Sequence, residues 1–183
     1  DQWRGYVGLR GDALRYEVTG REPVVGPLNG GKGRDAVASP KFGLAFTPEP
    51  AHEIYINAGV GFHSNDVRGA TITTDPKTGD PADRVPALVK GRGAEIGWRF
   101  QPDEALTTTL ALWRLDLDSE LVYAGDAGTT EPGRASTRRG VEATLRWKFD
   151  PAWHIELDGA LSRARFRGLA PAGEGNYVDN AVE

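Results

Sequence analysis

The 183-residue chain contains no cysteine and no methionine. Without cysteine it has no disulfide framework, no thiolate metal site and no cysteine nucleophile. The first residue is Asp1, and no basic-then-apolar signal segment follows it, so the chain reads as processed or as a fragment. No stretch reaches the 18 apolar residues that a transmembrane helix needs. The mean hydropathy of −0.46 does not exclude a membrane barrel, whose strands alternate lipid-facing and lumen-facing residues and so average to a soluble value. The net charge is −4 and no basic stripe stands out, which argues against a nucleic-acid partner.

Enzymatic signatures are missing too. Gly30-Gly31-Lys32-Gly33 lacks the second half of a phosphate loop and the helix that should follow it. Ser119 and Glu120 could be set beside His154 as a hydrolase, but no nucleophile elbow is present. No enzyme and no cofactor are expected. The histidines are His52, His63 and His154; in a barrel His52 and His154 fall at one strand end and His63 at the other, roughly 25 Å away. The acidic loop Asp75, Asp80, Asp83 lacks calcium-loop spacing, so no metal site is expected.

What is abundant is punctuation and a period of two. The chain has 24 Gly and 12 Pro, as strands and turns require. From Arg138 to Phe149, Val141, Ala143, Leu145, Trp147 and Phe149 share one face, and Glu142, Thr144, Arg146 and Lys148 the other. Leu106 to Tyr123 puts Ala111, Trp113, Leu115, Leu117 and Leu121 opposite Arg114, Asp116, Asp118 and Glu120. Trp153, Ile155, Leu157 and Leu161 oppose His154, Glu156, Asp158 and Ser162. Ala94, Ile96, Trp98 and Phe100 oppose Glu95, Gly97 and Arg99, and Ile54, Ile56, Ala58, Val60 and Phe62 oppose Tyr55, Asn57, Gly59 and Gly61. With Trp3 to about Val18 and Ser39 to Thr47, the pattern predicts seven strands and no helix.

Alternation also fits a soluble β-sandwich. Three features favour a membrane. Short turns at Pro48–His52, Gln101–Ala105 and Asp150–Ala152 alternate with long loops at Thr19–Ala38, His63–Ala87 and Ala124–Ala135, the rhythm of outer-membrane barrels. A repeat of about 50 residues recurs, in which Phe46-Thr47-Pro48, Phe100-Gln101-Pro102 and Phe149-Asp150-Pro151 each end a strand at a turn. Aromatics gather at the strand ends: Trp3, Phe46, Tyr55, Trp98, Phe100, Trp147, Phe149 and Trp153 near the short turns, and Tyr16, Phe62, Tyr123 and Phe166 opposite, predicting two interfacial girdles. The expected fold is all-β: an antiparallel up-and-down meander of about seven long strands, part of a larger transmembrane β-barrel. Barrels of this kind have an even strand count, so seven make a slice. The lipid face should carry Trp98, Trp113, Leu115, Val141, Leu145, Trp147, Ile155 and Leu157.

Three stretches resemble TonB-dependent outer-membrane receptors. Tyr55-Ile56-Asn57-Ala58-Gly59-Val60-Gly61-Phe62-His63-Ser64-Asn65-Asp66 looks like their strand running into a polar loop. Ser136-Thr137-Arg138-Arg139-Gly140-Val141-Glu142, followed by Trp147, Phe149 and Pro151, is similar to their Gly-x-Glu strand. Val7-Gly8-Leu9-Arg10-Gly11-Asp12 resembles their Gly-x-Arg-x-Asp strand. The resemblance covers nearly all of residues 1–183. It implies a partial barrel without its plug domain and closing strands, from a protein that imports a scarce ligand such as a ferric siderophore, haem, cobalamin or a glycan. The implied partners are outer-membrane lipid, the plug of the same parent chain, the TonB complex and a small ligand such as a metal chelate. A porin-like barrel and a soluble secreted β-sandwich binding module remain the alternatives.

The charged row Arg114, Asp116, Asp118, Glu120, Glu142, Arg146, Glu156 and Asp158 is expected to face the lumen, where a few members would contact the plug. A midplane Arg or Lys against lipid costs roughly 2–4 kcal/mol. Cross-strand pairing that holds the wall accounts for most of these charges. Ligand recognition is expected in the long loops, first at His63, Asn65, Asp66 and Arg68 and second at Tyr123, Asp126, Arg134 and Arg138. Asn65 and Asp66 also suit plain turn formation.

Overall fold

The computed structural model describes residues 1–20, 26–76, 78–119, 121–124 and 129–168. Seven strands form one antiparallel sheet: β1 (Trp3–Val18), β2 (Gly31–Glu49), β3 (His52–Ser64), β4 (Leu88–Phe100), β5 (Leu106–Leu117), β8 (Ser136–Asp150) and β9 (Trp153–Phe166). Each pairs with its neighbour in sequence, so the sheet is a meander. Two shorter strands, β6 (Leu121–Ala124) and β7 (Thr129–Pro132), form a ribbon of their own inside the β5–β8 connection. The strand expected from Leu106 to Tyr123 therefore ends at Leu117. Two short helices, α1 (Gly26–Asn29) and α2 (Val67–Thr71), lie in the long loops and were not expected from the periodicity.

The connections alternate as expected. Pairs Glu49 with His52 and Asp150 with Trp153 close two-residue turns, Pro50-Ala51 and Pro151-Ala152. Proline has no N–H to give the ladder and presets φ, so it suits a strand end. Asp150 Oδ1 accepts from Ala152 N at 2.9 Å, and in the third turn Asp103 Oδ1 accepts from Ala105 N and Leu106 N.

Partners directly opposite in an antiparallel ladder point to the same side, so the register assigns each side chain to a face. One row reads Leu44, Ile56, Ile96, Leu112, Val141 and Leu161, and the next Trp3, Phe46, Ile54, Trp98, Leu110 and Ala143. Below them, Leu145 pairs with Thr108 and Leu157, and Trp147 with Leu106 and Ile155. This apolar face is bare: Val7 is 83% exposed and Leu161 79%. A sheet whose apolar rows are the uncovered ones has no sandwich core on that side, and lipid is its natural solvent. The opposite face is polar, and two grooves open on it, so it is the concave side.

The register corrects part of the expected facing. Trp113 pairs with Glu95 and Gly140, and Leu115 with Gly93 and Arg138, on the concave face. Arg114 and Asp116 lie on the apolar face, paired with Ala94 and Arg92. Asp118, just beyond β5, binds Arg92 of that same face at 2.8 Å. They are tolerated there because they stand at the long-loop end, above the rows of Ile96 and Trp98. The aromatics are corrected too. Trp3 and Phe46 stack at 4.4 Å, His52 meets Phe100 in a tilted contact at 4.9 Å, and Trp147 meets Phe149 at 5.4 Å, forming the girdle at the short-turn end. Tyr55 is not in it, since it pairs with Gly97 on the concave face. At the other end Tyr16 and Phe166 share concave-face rows with Gly33 and Ser136, so no second lipid-facing girdle is formed by them.

β2 starts at Gly31, inside the stretch expected to be a loop, because β1 and β2 continue as a ribbon past the end of β3 pairing at Lys41–Gly59. Buried residues gather beneath this ribbon and the β3–β4 loop, among them Val37, Ser39, Asn65, Ala70, Ala87 and Val89. Helix α2 packs on β1 and β2 there.

Candidate functional site

The polar face of the wall is organised around cross-strand rows. Asn57 Nδ2 donates to Glu95 Oε1 at 2.8 Å, and Tyr6 Oη donates to Asn57 Oδ1 at 3.3 Å, linking β1, β3 and β4. Trp113 continues that row on β5. Toward the short turns, Glu53 takes both Arg4 and Arg99, the latter at 3.1 Å. These pairings follow from register: Glu53 is opposite Arg99, and Asn57 opposite Glu95.

Large rings lie over small neighbours on this face. Tyr6 is opposite Gly43, Tyr55 opposite Gly97 and Trp113 opposite Gly140. A Cβ at residue 97 would stand 2.2 Å from Tyr55 Cζ, and one at residue 43 the same distance from Tyr6 Cε1. Only glycine leaves the ring room to lie flat on the neighbouring strand.

A groove of about 520 Å³ opens above these rings, its floor made by Gly59, Gly61, Gly91 and Gly93 and its walls by Tyr6, Asn57, His63, Glu95, Trp113 and Leu115. Two buried donors or acceptors beside it, Trp113 Nε1 and His63 Nε2, make no hydrogen bond among the described residues. Such atoms are costly unless a ligand, water or partner segment satisfies them. Sequence reasoning singled out His63 but missed Tyr6, Asn57, Glu95 and Trp113. The available signal was the glycine run at Gly59 and Gly61 beside Gly91 and Gly93, which marks a close approach.

The other loop candidates have structural partners. Asn65 closes the neck of the β3–β4 loop, its Nδ2 donating to Pro86 O at 2.8 Å and its N–H to Ala87 O. Asp66 caps α2 by accepting from Arg68 N at 2.9 Å and also binds the Arg68 guanidinium. The Arg68 side-chain hydrogen bond, aided by the backbone bond and the charge of Arg68, holds the Asp66 carboxyl below its usual range despite partial burial. Arg134 donates to Arg167 O and Gly168 O and covers Phe166 at 5.2 Å, tying the end of β9. Arg138 sits on the concave face beside Leu115 and Ala164. Glu120, Asp126 and the side chain of Tyr123 lie outside the described residues.

Of the charges expected in the lumen, Glu142 shares a concave-face row with Tyr55 and Asp158 one with Glu53 and Arg99, while Arg146 and Glu156 stand in the next row of that face, opposite Thr107. Arg146 and Glu156 pair across strands at 3.7 Å. Arg114 and Asp116 pair with each other on the outer face at 2.8 Å.

Comparison with known proteins agrees with this geometry. The ferric-catecholate import receptor Fiu from K12 E. coli superimposes with a TM-score of 0.66 at 20% identity, over 96% of this chain and 28% of that one. The FrpB iron transporter from Neisseria meningitidis, F3-3 variant, gives 0.61 at 15% identity, over 91% and 24%. The chain thus spans about a quarter of the length of these structures. No curated protein sequence matches it. The family model described as "TonB dependent receptor-like, beta-barrel" matches residues 1–182, and the chain belongs to that family of outer-membrane barrels.

Proposed function

We propose that the parent protein takes up a scarce small ligand, of the ferric-chelate class, across the outer membrane with TonB-supplied energy. The two solved relatives named above are an iron transporter and a ferric-catecholate import receptor. The observation that carries the reading is the concave groove lined by Trp113 and His63, whose Nε1 and Nε2 are buried and have no hydrogen-bond partner among the described residues. An indole N–H and an imidazole above a glycine floor suit an aromatic, oxygen-rich ligand, which can stack on rings and accept hydrogen bonds. Lower on the same face, Glu142, Arg146, Glu156 and Asp158 form the surface against which a plug of the parent chain would rest. Glu53, held by Arg4 and Arg99, stiffens that wall rather than touching ligand.

The test uses the full-length parent in iron-limited cells, with radioiron-labelled catecholate chelate as probe. Uptake should require TonB. Trp113→Phe keeps a ring over Gly140 but removes the donor, and should weaken chelate binding by about tenfold. Uptake that persists without TonB would defeat the receptor reading, and unchanged binding by Trp113→Phe would remove the groove from it.

A further inference from the structure

On β5, β8 and β9 the apolar face ends abruptly toward the long loops, whereas on β1–β3 the same row is still apolar, with Val7, Phe42 and Ala58. Directly above Ile96, Leu112, Val141 and Leu161 comes a row in which Arg114, Arg139 and Arg163 stand in register across β5, β8 and β9. Two residues higher, Arg92 and Arg165 occupy the same face with Asp116 and Thr137 between them. Neighbouring strands are about 4.8 Å apart, so the three arginine side chains leave the sheet at about that spacing. Like charges directly opposite each other destabilise a sheet. Arg114 is answered by Asp116, and Arg92 by Asp118 at 2.8 Å. Arg163 and Arg165 have contacts of their own. Arg139, at the centre of the row and exposed, has no counter-ion among the described residues.

The height of this row is informative. On β8 the apolar face runs from Val141 to Phe149, nine residues spanning eight steps, or roughly 27 Å along the strand and about 21 Å after barrel tilt. That nearly fills the hydrocarbon band of about 25 Å, so Arg139 stands at its upper edge. The short-turn edge carries aromatic rings instead. Long loops are extracellular in these barrels, so the arginine edge meets the headgroups of the outer leaflet.

We propose that Arg139, flanked by Arg163 and Arg165, binds a phosphate of a phosphorylated lipid headgroup whose acyl chains lie on the apolar rows below. Planar guanidinium forks match phosphate oxygens and bind best where water is partly excluded. The chains of the same lipid would cover Val141 and Leu161, so headgroup and tail are recognised by adjacent rows. Arg165 and Arg163 alternate with Ala164 along β9, whose side chain is buried on the other face, which fixes both arginines outward.

The experiment uses the full-length parent in neutral detergent, titrated separately with bisphosphorylated lipid A, dephosphorylated lipid A and inorganic phosphate. The phosphorylated lipid should bind at least tenfold more tightly than the dephosphorylated one, with a difference that shrinks as salt rises. The triple change Arg139→Gln, Arg163→Gln, Arg165→Gln should abolish that difference, and Lys148→Gln, at the short-turn end, should retain it. Folding is checked by the mobility difference between unheated and boiled samples on a gel. Should the triple variant fail that check, Arg139→Gln alone must weaken phosphorylated-lipid binding threefold or more. Equal binding of both lipids, or a folded triple variant that keeps the preference, overturns the proposal. Saturation by inorganic phosphate at the same concentration as the lipid overturns it as well, by making this a general anion site.

Discussion

Tyr55 lies across Gly97, its in-register partner on β4, with no room for a Cβ beneath the ring: one placed there would stand 2.3 Å from the Tyr55 hydroxyl oxygen. The pair fastens β3 to β4 on the concave face, two residues from the ion pair of Glu53 and Arg99. Gly97→Ala should destabilise the full-length barrel by about 1–3 kcal/mol, the usual cost of overpacking. In a Tyr55→Ala background the same change should cost much less, because the ring that must move is gone. Unfolding free energies in lipid vesicles complete the double-mutant cycle, and simple additivity would mean that the contact does not matter.

Glu53 is mostly covered while both its arginines are largely exposed. Glu53→Gln should cost about 1 kcal/mol, the range expected when solvent screens one side of a pair. The loss should be smaller at high salt. A loss indifferent to salt would indicate packing, not charge.

Asn29 is the centre of a hydrogen-bonded link between two extracellular loops. Asn29 Oδ1 accepts from Thr73 N and Thr74 N, both at 3.0 Å, while its Nδ2 donates to Thr74 O at 2.7 Å. Thr71 Oγ1 donates to Asn29 O. Asn29→Ala leaves two backbone donors unpaired, so amide exchange at Thr73 and Thr74 should accelerate about tenfold or more. Unchanged exchange would show that the loops hold their shape independently.

The Asp66 cap gives a pH dependence of definite sign. Its folded-state carboxyl lies below the ordinary value of 3.8, chiefly through the Arg68 side-chain hydrogen bond. Stability from a depressed carboxylate is present above the unfolded pKa and is lost as pH falls through the folded one. Exchange of α2 amides should therefore be flat from pH 7 down to about 4 after correction for intrinsic rates, and protection should fall below that. Asp66→Asn, which retains a cap but no charge, should show no such fall.

The strands were legible where one side stays apolar over most of its length, as in β3 and the short-turn portions of β4, β8 and β9. They were less legible where height overrides alternation. On β5, Arg114 and Asp116 look incompatible with a lipid face, so the sequence pattern points Trp113 and Leu115 outward. The structure reverses this because the two charges stand above the apolar band, and because Gly140 offers Trp113 a seat on the concave side. That seat belongs to another strand, and no local window contains it. Tyr55 over Gly97 is the same case. The upper part of β2, Gly31 to Ala38, pairs only with β1 and has no lipid to face, so it carries no clean apolar period. Asn65 and Asp66 were visible as chemistry, but only their partners show that they build the loop.

The central claim is that the face bearing Leu145 meets lipid and the face bearing Thr144 does not. Leu145 pairs with Thr108 and Leu157, midway along the apolar stretch of β8, and Thr144 with Thr109 and Asp158. The most direct measurement is the unfolding free energy of the full-length parent carrying Leu145→Arg or Thr144→Arg, in vesicles of differing hydrocarbon thickness. Leu145→Arg should cost roughly 2–4 kcal/mol, and that cost should change with thickness because depth sets the penalty. Thr144→Arg, beside Glu142 and Asp158, should cost much less and stay nearly constant. Costs for both that ignore the lipid would contradict the account, since residue 145 would then face something other than a membrane.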